Sequence, residues 1–305
     1  MFRLLILIVV VIVAACSSPS QFTTTSAQFA KAAPLTVEAY RAYLMKVYTL
    51  DADTHLRLAE LDPSRDVDPV TLQQRSFSQI ALDSRLQAMD SLILYSKTLA
   101  VAANKDLGAN FRSSAIGAGA AFDNLFLKIN EASGNDANKV KKIGGPVADI
   151  VGVIGEKEFR DMQTGIIRSA IIDAEREIST LISQMKEDVR IGGLLTQPDA
   201  ATRLAAAAKV YNRQSGTPGF DGDVHRRAVA NVKAEYIAFR DQSLLERQLL
   251  DLLASLDAAN KALARQARSS TEAESLKAFN EALVAIQDLT LSAKTVRASI
   301  EQLRD

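Results

Sequence analysis

The chain has 305 residues, with 36 Lys and Arg balanced by 36 Asp and Glu and no net formal charge. That balance lacks the basic excess of a nucleic-acid binder. At 48% apolar and 24% charged residues, the chain can bury a core instead of staying disordered. Aromatics make up only 6%, Trp is absent, and the single cysteine excludes an internal disulfide and a cysteine-based metal cluster. Alanine and leucine dominate, which favours helix, and alternating Val, Ile, Thr and aromatic runs are nearly absent. An all-α fold follows.

The first element is a leader. Arg3 precedes an unbroken apolar run from Leu4 to Ala15, the layout of a secretory signal. The run is too short for a spanning helix, which needs about 20 residues. Its end, Val13-Ala14-Ala15-Cys16, resembles the lipobox of bacterial lipoproteins, with Val13 where Leu is most common in that family. The resemblance covers the leader and Cys16 alone. It implies a signal peptide over 1–15, cleavage between Ala15 and Cys16, and diacylglycerol on the Cys16 thiol with a further acyl chain, such as palmitate, on its amine. Each buried CH₂ contributes roughly 0.8 kcal/mol, so two or three chains anchor firmly. Ser17, at the family's sorting position, implies the outer membrane, facing the periplasm. Loss of Arg3 leaves the mature chain almost neutral, with no general attraction to anionic headgroups.

Residues 16–35, rich in small polar residues with Pro19 and Pro34, read as the lipidated cysteine and a flexible tether. One helical domain is expected over 36–305. Its first helix starts with Thr36 as N-cap and Glu38 in the first turn. Val37, Tyr40, Leu44, Val47 and Tyr48 share a face. The helix stops near Leu61, before Asp62-Pro63. Asp68-Pro69 caps a second helix that runs without punctuation to about Leu107, striped by Leu82, Leu86, Met89, Ile93, Ser96 and Ala100. Such a helix would span about 55–60 Å.

The middle differs. Residues 113–127 and 143–154 are glycine-studded and apolar, with a turn at Gly134-Asn135-Asp136 between them. They read as a close-packed apolar helical hairpin. An amphipathic helix follows, with Ile167, Ile171, Ala174, Ile178, Leu181, Ile182 and Met185 on its apolar face. It is expected to end at Ile191-Gly192-Gly193, ahead of a shorter helix over 198–211. Residues 212–222 form a surface loop dense in turn residues. A very long helix then runs over 223–268. Val229, Val232, Tyr236 and Phe239 open its stripe; Leu245, Leu249, Leu252, Leu256, Ala259 and Leu263 continue it in coiled-coil 4-3 steps. Ser269-Ser270 breaks the pattern, and Thr271 with Glu274 forms a capping box for the last helix. That helix is striped by Leu276, Phe279, Leu283, Ile286, Leu289, Ala293 and Val296. The whole reads as an elongated antiparallel bundle, similar to uncharacterised long-helix bacterial lipoproteins.

Little in the sequence points to catalysis. His55 and His225 are the only histidines, and neither has a ligand-spaced His or Cys beside it. His55, within Asp51-Ala52-Asp53-Thr54-His55, reads as a solvated helix end, not a metal ligand. Gly117-Ala118-Gly119 lacks the third glycine and the preceding strand of a dinucleotide fingerprint. Asp149 sits in an apolar segment, where a helix N-terminus accounts for it. No cofactor and no metal are expected, and no enzyme. The expected function is a lipid-anchored envelope protein whose bundle is a scaffold or partner-binding module, its partner an envelope protein. The alternative is a membrane-active, pore-forming-like protein that inserts the 113–154 hairpin, although Asp123, Asn124 and Asp149 interrupt that segment and each half is shorter than a spanning helix.

Overall fold

The computed structural model describes residues 18–62, 64–102, 156–215 and 222–302. The leader, Cys16, Ser17, the 113–154 hairpin and Asp149 lie outside them. Among the described residues the protein is all-helical. Six helices appear: α1 (Ser18–Leu61), α2 (Pro69–Gln73), α3 (Gln79–Ala102), α4 (Glu156–Ser215), α5 (Gly222–Arg268) and α6 (Glu272–Gln302). All but α2 are long, and the long helices pack against each other. None of the described helices is long and apolar enough to cross a membrane.

The chain divides into two compact units, and each long helix contributes to both. The first takes its described residues from Met1–Glu38, Ser84–Gln184 and Leu252–Lys294; the second from Ala39–Asp83, Met185–Asp251 and Thr295–Asp305. The core of the first is aliphatic, with one large aromatic from each of α1 and α3. Phe29, Tyr95, Ile178, Leu256 and Leu289 are all buried there. Each buried Leu, Ile or Phe contributes about 1.5–3 kcal/mol. Thr25 Oγ1 donates to Gln266 Oε1 at 2.7 Å, tying α1 to α5.

Helix α1 corrects the expected tether. It begins at Ser18, not Thr36, and runs through Pro34. Phe29, Ala30, Ala32 and Ala33 are buried. The small residues that read as linker are instead what allows this segment to pack closely, and Pro34 is accommodated inside the helix. Further along, Val37, Tyr40, Leu44 and Val47 are buried as their spacing predicts.

The helix expected from Pro69 to about Leu107 is two helices. Asp68 caps α2 as expected, accepting from the Val70 and Thr71 amides at 3.0 and 3.3 Å. The chain then leaves the helix at Gln74. Arg75 bonds the Leu72 and Gln74 carbonyls and lies 5.5 Å above the Tyr48 ring. Phe77 meets the same ring edge-on at 5.4 Å. Docking on Tyr48 therefore competes with helix, and Ser78 re-caps α3 by accepting from the Ala81 amide at 3.2 Å. The stripe of α3 holds at Leu82, Met89 and Ser96, which are buried, and shifts elsewhere. Leu92, Tyr95 and Leu99 are buried, while Leu86 and Ile93 are only half-buried.

Helix α4 does not end at Gly192-Gly193 but continues to Ser215 with Pro198 inside it. Neither glycine takes a positive φ. Their role is close approach. A Cβ at Gly193 would lie 2.6 Å from Glu246 Oε2, and one at Gly192 would overlap the Tyr43 hydroxyl. The α5–α6 break behaves as its capping box predicts. The Glu274 amide donates to Thr271 Oγ1 at 3.3 Å and the Thr271 amide to Glu274 Oε2 at 3.4 Å.

Candidate functional site

The first half of α5 departs most from expectation. Leu245 and Leu249 are buried, but Val229, Tyr236 and Phe239 are exposed, Tyr236 at 54%. In their place Glu235, Gln242 and Glu246 are buried, at 4%, 4% and 7% exposure. These polar residues sit within the second unit, where α1 and α4 supply their partners.

One end of the layer centres on Glu235. Arg57 Nε of α1 donates to Glu235 Oε1 at 2.6 Å, and Arg203 Nε of α4 lies 3.3 Å from Oε2. Arg203 Nη1 is 3.6 Å from Asp199 Oδ2, one turn earlier on the same helix. The other end centres on Glu246. Thr196 Oγ1 donates to its Oε1 at 2.5 Å, Gln242 Nε2 to Oε1 at 2.8 Å, and Gln197 Nε2 to Oε2 at 3.1 Å. Lys46 Nζ donates to Gln242 Oε1 at 2.8 Å. Nearby, Tyr43 donates to the Val189 carbonyl at 3.1 Å and Tyr40 to Asp188 Oδ2 at 2.6 Å.

Burial shifts the ionisation of several of these groups. It raises Asp199 above the ordinary carboxyl value, more than the Arg203 charge lowers it. It lowers the Lys46 ammonium, helped by the nearby Arg203 and opposed by Glu246, Asp199 and Asp53. Tyr43 is pushed far above its ordinary value by burial and then by the Glu246 and Asp188 charges, so it stays a neutral donor.

This arrangement links α5 to both α1 and α4. Glu246 accepts three donors and Glu235 faces two guanidinium groups, so both carboxylates are engaged within the layer. Among the described residues no three His, Cys, Asp or Glu side chains are grouped to hold a metal ion. His55 Nε2 accepts from the Asp68 amide at 2.8 Å, linking α1 to the start of α2. Asp53, which shares its sequence cluster, accepts from Thr49 Oγ1 at 2.7 Å. His225 packs against the Tyr211 ring with centroids 5.6 Å apart.

The polar layer has a sequence signal that apolar periodicity passes over. Leu249, Leu256 and Leu263 recur every seven residues, and the same step taken backwards lands on Gln242, Glu235 and Ala228. The heptad continues geometrically while its chemistry changes. Comparison of the chain with known protein families, curated proteins and solved structures finds no match.

Proposed function

We propose that this chain is a lipid-anchored cell-envelope protein, held through Cys16 and placed at the outer membrane facing the periplasm. Its helical bundle acts as a non-enzymatic scaffold that presents a surface to an envelope protein. The observation that carries this reading is how the two kinds of side chain are distributed. The buried charges of the second unit are engaged with one another, whereas large apolar groups are left on helix surfaces. On α6, within the first unit, Leu276, Val284 and Leu291 lie along one outward face and are at least half exposed, Leu291 at 67%. Single exposed leucines are ordinary, but three large apolar side chains along one face of a helix support reading that face as a contact surface.

We read the bundle as largely antiparallel. Lys46 meets Gln242 and Arg57 meets Glu235, so residue numbers rising on α1 meet falling numbers on α5. Thr196 with Glu246 and Arg203 with Glu235 give the same opposition between α4 and α5. Arg265, 3.6 Å from Glu281, supports a hairpin of α5 and α6. Helices α1 and α4 rise together, through Tyr40 with Asp188 and Asp62 with Arg213. The polar layer fits this reading as the device that fixes register among these helices.

The test is photocrosslinking in the envelope from Val284 and Leu291, with buried Leu289 as the control position. A discrete adduct from the two exposed positions, lost when Cys16→Ala removes the anchor, is the expected result. Adducts no different from those at Leu289 would overturn the partner-binding reading.

A further inference from the structure

Near-zero net charge conceals a local asymmetry on α5. Arg226, Lys233, Arg240 and Arg247 recur every seven residues and are all exposed. A seven-residue step returns to almost the same side of a helix, drifting only about 20°. The four cations therefore form one row about 32 Å long, at 1.5 Å rise per residue. Exposed apolar side chains flank it, with Val229, Tyr236 and Phe239 on one side and Ile237 and Leu244 on the other. The opposite side of this same helix carries the buried Glu235 and Gln242. The Glu235 carboxylate is thus turned away from the cationic row, and the buried Glu246 is engaged by Thr196, Gln242 and Gln197.

Acids offset the row only in part. Asp223 pairs with Arg226, and Asp241 with Arg240 Nε at 2.7 Å. Lys233 and Arg247 have no ion pair among the described residues. Over Gly222–Asp251, the exposed or half-exposed charges are five Lys and Arg against Asp223, Asp241 and Asp251.

We propose that this outward face of α5 lies on an anionic phospholipid surface. A merely solvated face would not alternate cations with Tyr, Phe, Leu and Ile, and a core face would not carry the cations. Long Lys and Arg stems spread over apolar surface while their heads reach phosphate, and aromatic rings settle at the headgroup level. The row drifts by only about 60° over its three steps, so the four cations share one side of the helix. Charge complementarity selects an anionic surface over a zwitterionic one. This goes beyond the anchor at Cys16: the lipid would bring the protein to a bilayer, whereas the α5 face chooses the headgroup.

The chain contains no Trp, so Tyr236→Trp places a single reporter on the face. The full chain, purified from membranes and reconstituted, is compared in vesicles of zwitterionic lipid and of lipid with about 30% phosphatidylglycerol. Acyl chains carrying bromine quench an indole that enters the bilayer. The expected result is blue-shifted, quenched emission in the anionic vesicles only, reversed by about 0.5 M salt. Charge reversal of all four cations to Glu, with helicity unchanged by circular dichroism, is expected to weaken this association about tenfold or more. Leu291→Trp on α6 serves as the unquenched control. An unquenched Tyr236→Trp reporter in chains that float with anionic vesicles would overturn the proposal. So would equal quenching in both vesicle types. A blue shift without lipid quenching would overturn it too, and would identify a protein or a second copy as the occupant. Failure of the anchor reads out separately, as chains that do not float with zwitterionic vesicles.

Discussion

Glu235 stands between Arg57 and Arg203, and its removal leaves two guanidinium groups facing each other in a largely buried place. Glu235→Ala is therefore expected to lower stability by about 3 kcal/mol in urea unfolding. Replacing Arg57, Arg203 and Glu235 together with leucine is expected to cost much less, because the buried acid this leaves without its arginine, Asp199, is one whose burial already favours the neutral form. A triple variant as unstable as the single one would show that the layer contributes net stability and not register. Asp199 gives a pH-dependent test. Burial raises its folded value above the ordinary 3.8, so the folded protein keeps that proton where the unfolded chain has released it. The stability this confers is complete below pH 3.8 and lost as pH rises through the folded value. Asp199→Asn keeps the neutral form throughout, so its stability relative to the parent is expected to grow from pH 4 to pH 7 in thermal melts. A difference that stays flat with pH would remove burial as the dominant influence. Glu235 and Gln242 escape a reading based on hydrophobicity because their depth is set by the heptad of Leu249 and Leu256, not by their own chemistry.

The helices themselves were legible wherever apolar spacing and packing agree. The stripe from Ile167 to Met185 on α4 and that from Leu245 to Leu263 on α5 are buried as spaced. Leu249→Ala is accordingly expected to cost about 2–5 kcal/mol, and Tyr236→Ala within about 0.5 kcal/mol of zero, measured side by side by denaturant titration. Comparable losses would mean that the α5 faces are exchanged. Boundaries were less legible, because glycine, proline and small polar residues carry two meanings. At Gly192-Gly193 they signal close approach to Tyr43 and Glu246, not a stop. Gly193→Ala is expected to displace the Glu246 carboxylate and cost about 1–3 kcal/mol, a loss that Glu246→Ala in the same chain should relieve. The α2–α3 break depends on Tyr48, more than twenty residues away, and no local pattern in 69–107 reveals it.

For the whole molecule, the main correction concerns the segment directly after Cys16. The expected tether is helix from Ser18 onward, packed through Phe29 and Ala33 and bonded from Thr25 to Gln266. Limited proteolysis of the native protein should therefore spare Lys31, which a flexible tether would expose to trypsin; early cleavage there would restore the tether. If Cys16 is acylated, the lipid joins the bundle almost directly, which would leave little slack between the helices and the bilayer. The central claim is thus the state of residue 16, and the intact mass of the protein extracted from the cell envelope tests it most directly. The expected mass is that of a chain that begins at Cys16 and carries diacylglycerol on its thiol. A chain that begins at Met1, or one with a free thiol at Cys16, would contradict it.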